Sequence, residues 1–131
     1  MTQTDEILAL LSWHSSPADQ ARGLALASRA RNLSAFIQPC GERYHKDVWD
    51  NCAKVLSART DAELVPHLSA LLRWLQDMNW PGAQRIADRL RRFADRQALS
   101  AALGACLLQA QASRDDEWIE NLRMVGPEER I

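Results

Sequence analysis

The segment that most constrains the fold covers residues 71–83 and reads LLRWLQDMNWPGA. Its three leucines recur at helical spacing and predict a helix over the first half. This helix is expected to end before Asn79, because asparagine tolerates the left-handed conformation common at helix C-termini. Pro81 suits the first position of a following helix, and the small Gly82 and Ala83 allow close helix approach. The segment therefore predicts a tight corner between two helices.

Large side chains surround this corner, and we assign them a structural role rather than a catalytic or binding one. Asp77 and Asn79 have polar side chains that can satisfy backbone groups between two helices. We assign five residues to the structural corner: Trp74, Asp77, Asn79, Trp80 and Pro81.

Composition indicates one globular domain over residues 1–131. The chain is 47% hydrophobic and 25% charged, which is typical of a folded protein. The formal net charge of -1 gives no overall attraction to nucleic acid or an anionic membrane. The acidic N-terminus has no basic n-region, so we expect no signal peptide. No apolar run in the sequence approaches the roughly 18 residues that span a bilayer. We expect a cytoplasmic protein that has no membrane partner, with its three cysteines reduced.

Helix-start signals recur along the chain and predict an all-α fold of about seven helices. Thr4 is the expected cap of the first helix, Ser16 caps a second that begins with Pro17, and residues 60–63 form a capping box. Pro66 should kink the helix that this box opens. The predicted helices cover residues 4–13, 17–31, 44–58, 61 to the corner, 81–93, 96–112 and 116–125.

Apolar spacing also predicts which residues are buried. In the second helix, small side chains on one face suggest close packing against a neighbour: Ala21, Leu24, Ala25 and Ser28. Leu33, Phe36 and Ile37 are expected to be buried in a loop, and Cys52 is expected in the core.

The number of helices favours antiparallel pairs stacked in a right-handed, HEAT-like array over a four-helix bundle. The two clearest helix starts, Asp61 and Arg96, are 35 positions apart, which is a plausible repeat period. Sequence identity between the units is negligible, so a compact irregular helical array is the alternative.

Three segments resemble a bacterial family of unknown function. They are WDNCAKVL at residues 49–56, WLQDMNWPGAQRI at residues 74–86 and DDEWIENL at residues 115–122. The family has a WLQDxNWP-type signature, and the resemblance is strongest over residues 33–125. It implies a small HEAT-like helical domain and a place among small bacterial proteins often encoded near toxins. It supplies no activity and no catalytic residue.

The residues that could carry catalysis do not form a recognisable motif. The three histidines lie on separate segments, and Cys40 with His45 offers only two of the four ligands that a closed zinc site needs. Asp115 and its acidic neighbours suit the first turn of a helix. We find no glycine-rich phosphate loop or nucleophile motif in the sequence. The sequence predicts no catalytic residue, cofactor site or metal site, and therefore no enzyme.

One charged surface suggests a partner. Arg89, Arg92 and Arg96 fall within about 40° of Arg85 on a helical wheel and form a single stripe. We expect this arginine stripe to face solvent, with Asp88 and Asp95 as partial counter-charges. Arginine presents a planar fork for carboxylates, so the stripe is a candidate binding edge for an acidic protein surface. A plain solvated helix face is the alternative.

The tryptophans divide into two expected groups. Trp49 and Trp74 occupy core-like positions and Trp80 is expected to wedge the corner. Trp13 and Trp118 lie near helix ends, where partial exposure would suit an interface.

The function predicted from the sequence is non-enzymatic protein binding. Stacked helices present extended binding surfaces, and the family resemblance suggests an immunity protein that neutralises a cognate toxin in a stoichiometric complex. The alternative is a module that binds nucleic acid or nucleotide through the arginine stripe. Nucleic acid is the less favoured partner, because the chain has no basic excess.

Overall fold

We describe a computed structural model of the chain, which covers residues 2–39 and 44–126. Within those ranges every regular element is helical, so the predicted all-α class is confirmed. The α-helices are α1 Gln3–Leu11, α2 Pro17–Ala27, α3 Trp49–Ser57, α4 Asp61–Leu64, α5 Leu68–Arg73, α6 Ala83–Arg91, α7 Arg96–Ala112 and α8 Asp116–Arg123. Short 3-10 turns lie at Ser34–Phe36, Lys46–Val48, Val65–His67 and Trp74–Gln76.

The helix starts follow the predicted capping chemistry, with one correction. Ser16 caps α2 and Pro17 is its first residue, as predicted. The cap of α1 is Thr2, however, and the prediction of Thr4 was wrong. Asp5 stands three residues after Thr2 and completes a reciprocal capping box, which moves the helix start two residues earlier.

Pro66 interrupts the helix that begins at Asp61. The proline has no N–H to donate, and the 3-10 turn Val65–His67 separates α4 from α5. The predicted kink is confirmed. It also explains why one predicted helix becomes two α-helices.

The close approach of α1 and α2 uses a different face of α2 from the one predicted. The buried residues of α2 are Gly23 and Ala27, whereas Ala21 and Ser28 are exposed. A Cβ atom added at Gly23 would lie 2.8 Å from Leu10 Cβ. Glycine, rather than a face of small side chains, lets α1 pack this closely.

The core forms where the remaining helices meet. α3 packs against α6, and α7 packs against both α5 and α8. The antiparallel HEAT-like stacking of these helices stays a prediction. Cys52 is fully buried, as predicted. The loop residues expected in the core are also buried: Leu33, Phe36 and Ile37.

Two buried polar side chains fix α8 to the end of α5. Trp118 Nε1 donates to the carbonyl of Leu72 at 3.0 Å, and Asn121 Nδ2 donates to that of Leu75 at 2.7 Å. Partial exposure of Trp118 was expected, but this hydrogen bond turns the indole inward and leaves it 3% exposed. Among the described residues, no helix is long and apolar enough to cross a membrane.

Candidate functional site

The predicted corner residues meet in one hydrogen-bonded turn. The carboxylate of Asp77 accepts the Asn79 N–H at 2.8 Å, and the Asp77 carbonyl accepts the Trp80 N–H at 3.0 Å. Trp74 Nε1 donates to the Pro81 carbonyl at 2.9 Å. The turn thus uses the Asp77 side chain and the backbone of Asn79, which is an architectural role.

Two details of the corner differ from the prediction. The left-handed residue is Gly82, with φ 85°, and not Asn79. Pro81 is not the first helical residue, because Gly82 caps α6, which begins at Ala83. A Cβ atom on Gly82 would lie 2.7 Å from Ala53 Cβ, so the helix brought close is α3.

Aromatic rings fill the space behind the corner. Trp49 lies edge-on to Trp74 at 6.2 Å and to Trp80 at 5.4 Å between ring centroids. Trp49 and Trp74 are buried as predicted, whereas Trp80 is half-buried. Lys46 Nζ lies 5.9 Å from the centroids of both Trp49 and Trp80 and covers this edge of the cluster.

The arginine stripe is not a continuous solvent-facing surface. Arg89 is buried, so the expectation was wrong at this position. Arg85 Nε binds Asp50 at 3.0 Å, and Arg96 Nη1 donates to the carbonyls of Arg91 and Phe93. Much of the stripe is therefore engaged within the protein.

Arg92 and Arg85 are the exposed members of the stripe. Asp88 and Asp95 were expected to be counter-charges of the stripe. The Asp88 carboxylate instead pairs with Arg91 at 2.5 Å, and the Asp95 carboxylate caps α7 by accepting the Ala98 N–H at 3.0 Å. The backbone carbonyl of Asp88 accepts a hydrogen bond from Arg92 Nε of the stripe at 3.4 Å. The role of the arginine stripe in partner binding stays a prediction.

Arg89 belongs to an internal network with Arg59. Arg89 Nη2 donates to the Arg59 carbonyl at 2.8 Å and to Asp61 at 2.5 Å. Asp61 also accepts the Ala94 N–H at 2.8 Å. This backbone hydrogen bond, and then the Arg89 guanidinium, lower the pKa of Asp61. The network joins the start of α4 to the link between α6 and α7, which is a structural task.

Arg59 extends the same network to the end of α2. Its guanidinium donates to the carbonyls of Ala27, at 3.1 Å, and Ala30, and it pairs with Glu63 at 2.7 Å. The capping hydrogen bonds from Thr60 keep the pKa of Glu63 below its ordinary value. Helix-end carbonyls of α2 thus gain a cationic partner.

The thiols and imidazoles do not converge within the described residues. Cys106 is buried, its Sγ lies 3.7 Å from the Ser69 carbonyl, and burial raises the pKa of its thiol. No cluster of metal-ligating side chains occurs in the part of the chain that the structure describes. The Cys40/His45 pair involves Cys40, which lies outside the described residues.

A groove runs along the outer side of α1 and α2, and sequence reasoning did not find it. Its apolar surface comes from Ile7, Leu10 and Leu26, and Leu26 is 38% exposed. Two adjoining cavities of about 380 and 400 Å³ share Gln3, Ile7 and Leu26. Apolar spacing alone assigns such residues to the core, so only the packing of the two helices reveals the groove.

The rim of this groove carries positive charge. Arg22 lines one cavity, and Arg29 and Arg31 line the other, while Glu6 supplies one carboxylate. Between residues 20 and 39 the sequence has these three arginines and no acidic residue. In the described part of the chain, Arg29 and Arg31 form no salt bridge. Their guanidiniums are therefore available to an anionic group.

A tryptophan stands at the turn between α1 and α2. Trp13 is 54% exposed, as expected for a position near a helix end. Its Nε1 donates to His14 Nε2 at 3.1 Å, and its backbone N–H donates to the Asp47 carbonyl at 2.9 Å. Asp47 also accepts the Ser12 hydroxyl at 2.6 Å. The exposed indole is thus held on a fixed turn, which suits an interface anchor.

Comparison with known proteins identifies a family. The model of a domain of unknown function, DUF5071, matches residues 45–128. No curated protein and no solved structure matches the chain. The prediction of an uncharacterised family is confirmed, while its WLQDxNWP signature stays a prediction. Because the match covers more than half of the sequence, the chain belongs to the DUF5071 family.

Proposed function

We propose that this protein is a non-enzymatic binding module that captures an acidic protein surface in the groove between α1 and α2. The observation that carries the proposal is a groove with Leu26 exposed in it, bordered by Arg29 and Arg31 and by Arg22, which pairs with Asp19 at 3.5 Å. Apolar surface supplies burial energy, while the arginines select carboxylates and speed association. The exposed arginines of the stripe, Arg85 and Arg92, are the second candidate contact.

The biological form that we propose is toxin immunity in the cytoplasm. It rests on the family resemblance, which places such chains near toxin genes. An immunity protein must hold its toxin throughout exposure, which requires a dissociation constant of about 1 nM or lower and an interface of roughly 1,600 Å². The groove and the neighbouring Trp13 turn offer a combination of apolar, cationic and aromatic groups that suits this task.

The test is co-expression with the product of the neighbouring gene. Growth rescue and a complex of fixed stoichiometry support the proposal. The groove variant Leu26→Glu/Arg29→Glu should then weaken binding at least 100-fold, about 2.7 kcal/mol, because it removes apolar burial and reverses a charge. Isothermal titration calorimetry measures both affinities.

A control variant with charge reversals elsewhere distinguishes a loss of groove contacts from an effect of net charge on affinity. Arg73→Glu/Arg123→Glu changes two exposed arginines outside the groove and should leave affinity within about threefold. Two results overturn the proposal. One is rescue by trace amounts without a stable complex, which indicates an enzyme. The other is nucleic-acid binding at physiological salt that is lost in Arg85→Glu/Arg92→Glu.

A further inference from the structure

The outward face of α7 has the spacing of a helix-pairing seam. Gln97, Ala101, Gly104, Leu108 and Gln111 follow one another at intervals of four and three residues, and all five are exposed. At 100° per residue they lie within an arc of about 80°. This alternation is the one by which helices pack along a shared seam.

This face carries no charge along its length. Residues 97–113 contain no Asp, Glu, Lys or Arg, although 25% of the chain is charged. About four charged residues are expected in a segment of this length, and an exposed helix face normally carries them. Leu108 projects from the middle of the face with 70% of its surface exposed. The buried side of α7 already packs against α5 and α8, and residues 2–39 and 44–126 leave this face uncovered.

Among the described residues, nothing packs closely enough on Gly104 to require glycine there. A Cβ atom added there would meet nothing within 4 Å, and glycine disfavours a helix interior relative to alanine. Gly104 has no side chain and its neighbours Ala101 and Ala105 have only methyl groups, so side-chain relief is low one turn away from the exposed Leu108. We call this low stretch the depression. A projecting side chain and a depression on the same face are complementary in a two-fold arrangement.

The two ends of the face have opposite charge. At the N-terminal end, Arg92, just before α7, and Arg96, its first residue, outweigh the capping carboxylate of Asp95. At the other end, Asp116 and Glu117 outweigh Arg114. An antiparallel pair of α7 helices brings each basic end to an acidic end, whereas a parallel pair brings like charges together.

We propose that two copies of this chain associate through α7, packed antiparallel about a two-fold axis near Gly104 and Ala105. Leu108 of each copy then covers Ala101 and Gly104 of the other. The surface lies on α7, outside the groove, so the inference is independent of the proposed toxin-binding function. A helix of 17 residues is about 26 Å long, and one helix pair buries less than a standard interface. We therefore expect a micromolar, reversible dimer.

Sedimentation equilibrium of the full chain from micromolar to millimolar concentration tests the association. The parent should shift from monomer to dimer, and Leu108→Glu should raise the dissociation constant at least 30-fold. Gly104→Gln fills the depression but favours the helix, so it should weaken the dimer while unfolding at equal or higher urea. A parent that stays monomeric at millimolar concentration overturns the proposal. So does a dimer that both variants leave unchanged.

Engineered cysteines test the orientation in a Cys40→Ser background. In the antiparallel pair, Gln97 of one copy lies beside Ala112 of the other, so a mixture of Gln97→Cys and Ala112→Cys proteins should form a mixed disulfide under mild oxidation. Gln97→Cys alone should remain uncrosslinked. Rapid crosslinking of Gln97→Cys to itself contradicts the antiparallel arrangement.

Discussion

The five tryptophans divide the molecule into two regions. The N-terminal helix pair, residues 2–32, contains Trp13, which is 54% exposed and lies on a turn. The family domain, residues 45–126 of the described chain, contains four tryptophans. Three of these are buried and the fourth is half-buried: Trp49, Trp74, Trp118 and Trp80, respectively. Large rings build the interior of the family domain, whereas the helix pair holds its ring at the surface.

The two regions are joined by polar groups as well as by apolar contact. Asn51 Nδ2 donates to the Leu11 carbonyl at 2.7 Å and to Gln20 Oε1 at 2.9 Å. Tyr44 Oη donates to Asp5 at 2.8 Å. Directed hydrogen bonds fix position but add little net stability compared with the burial of a tryptophan. The family domain therefore orients a helix pair whose groove remains open.

The largest expected effect is a difference in stability between tryptophan variants of the two regions. Trp74→Ala should lower the free energy of unfolding by about 4 kcal/mol, because a fully buried indole is lost and the Pro81 carbonyl loses its donor. Trp13→Ala should change it by less than about 0.5 kcal/mol. Urea melts measure both. Equal losses would mean that Trp13 contributes as much to stability as Trp74, which would contradict the difference between the two regions.

A matched pair of asparagine variants probes the junction between the regions. Asn51→Ala should cost about 2 kcal/mol, because it leaves the Leu11 carbonyl and Gln20 without their donor. Hydrogen exchange should show faster opening in α1 and α2 but not in α7. Asn121→Ala removes a similar hydrogen bond inside the family domain and should accelerate exchange in α5 and α8 instead. The same exchange pattern in both variants would contradict a separate junction.

The capping boxes of α1 and α4 allow a comparison in which the expected stability losses are smaller. Thr60→Ala should cost about 1 kcal/mol, since it releases the Glu63 N–H inside the family domain. Thr2→Ala removes the same kind of cap from α1 and should cost less, because α1 lies outside the family domain that holds most of the buried core. Thermal melts of the two variants show which of them loses more stability. A larger loss in Thr2→Ala would place the helix pair in the cooperative core.

Acid should weaken the internal network through Asp61. The pKa of Asp61 is lowered in the folded protein, so its stabilisation is present above the unfolded value of about 3.9 and is lost as pH falls through the lower folded pKa. Asp61→Asn should therefore flatten the decline in unfolding free energy between about pH 5 and pH 2.5. Asp19→Asn, an exposed carboxylate on α2, is the control. An unchanged slope in Asp61→Asn would exclude this contribution.

Local signals in the sequence determine most of the fold. Proline and capping residues act within one helical turn, so the start of α2, the bounds of α7 and the break at Pro66 were predictable. The end of α2 was predicted at residue 31, whereas the helix ends at Ala27. The burial of Arg89 could not be predicted, because its partners Arg59 and Asp61 lie about 30 positions earlier in the chain. A helical wheel treats every polar residue as solvent-facing and contains no information on such contacts.

The groove could not be predicted for a related reason. Leu26 and Ile7 both look like core residues in sequence, yet Ile7 is buried and Leu26 is exposed. This difference depends on how α1 and α2 pack together. Gly23 controls that packing through its contact with Leu10, a close approach that no periodicity encodes. Tertiary contact, not helix propensity, creates the candidate site.

The central claim is that the N-terminal helix pair, held by the family domain, forms the binding surface. Hydrogen exchange of the complex with the neighbouring gene product tests this most directly. We predict increased protection in α1 and α2, at amides near Ile7, Leu10 and Leu26, with little change in α6. Protection confined to α6, around Arg85 and Arg92, would contradict the claim and assign binding to the arginine stripe.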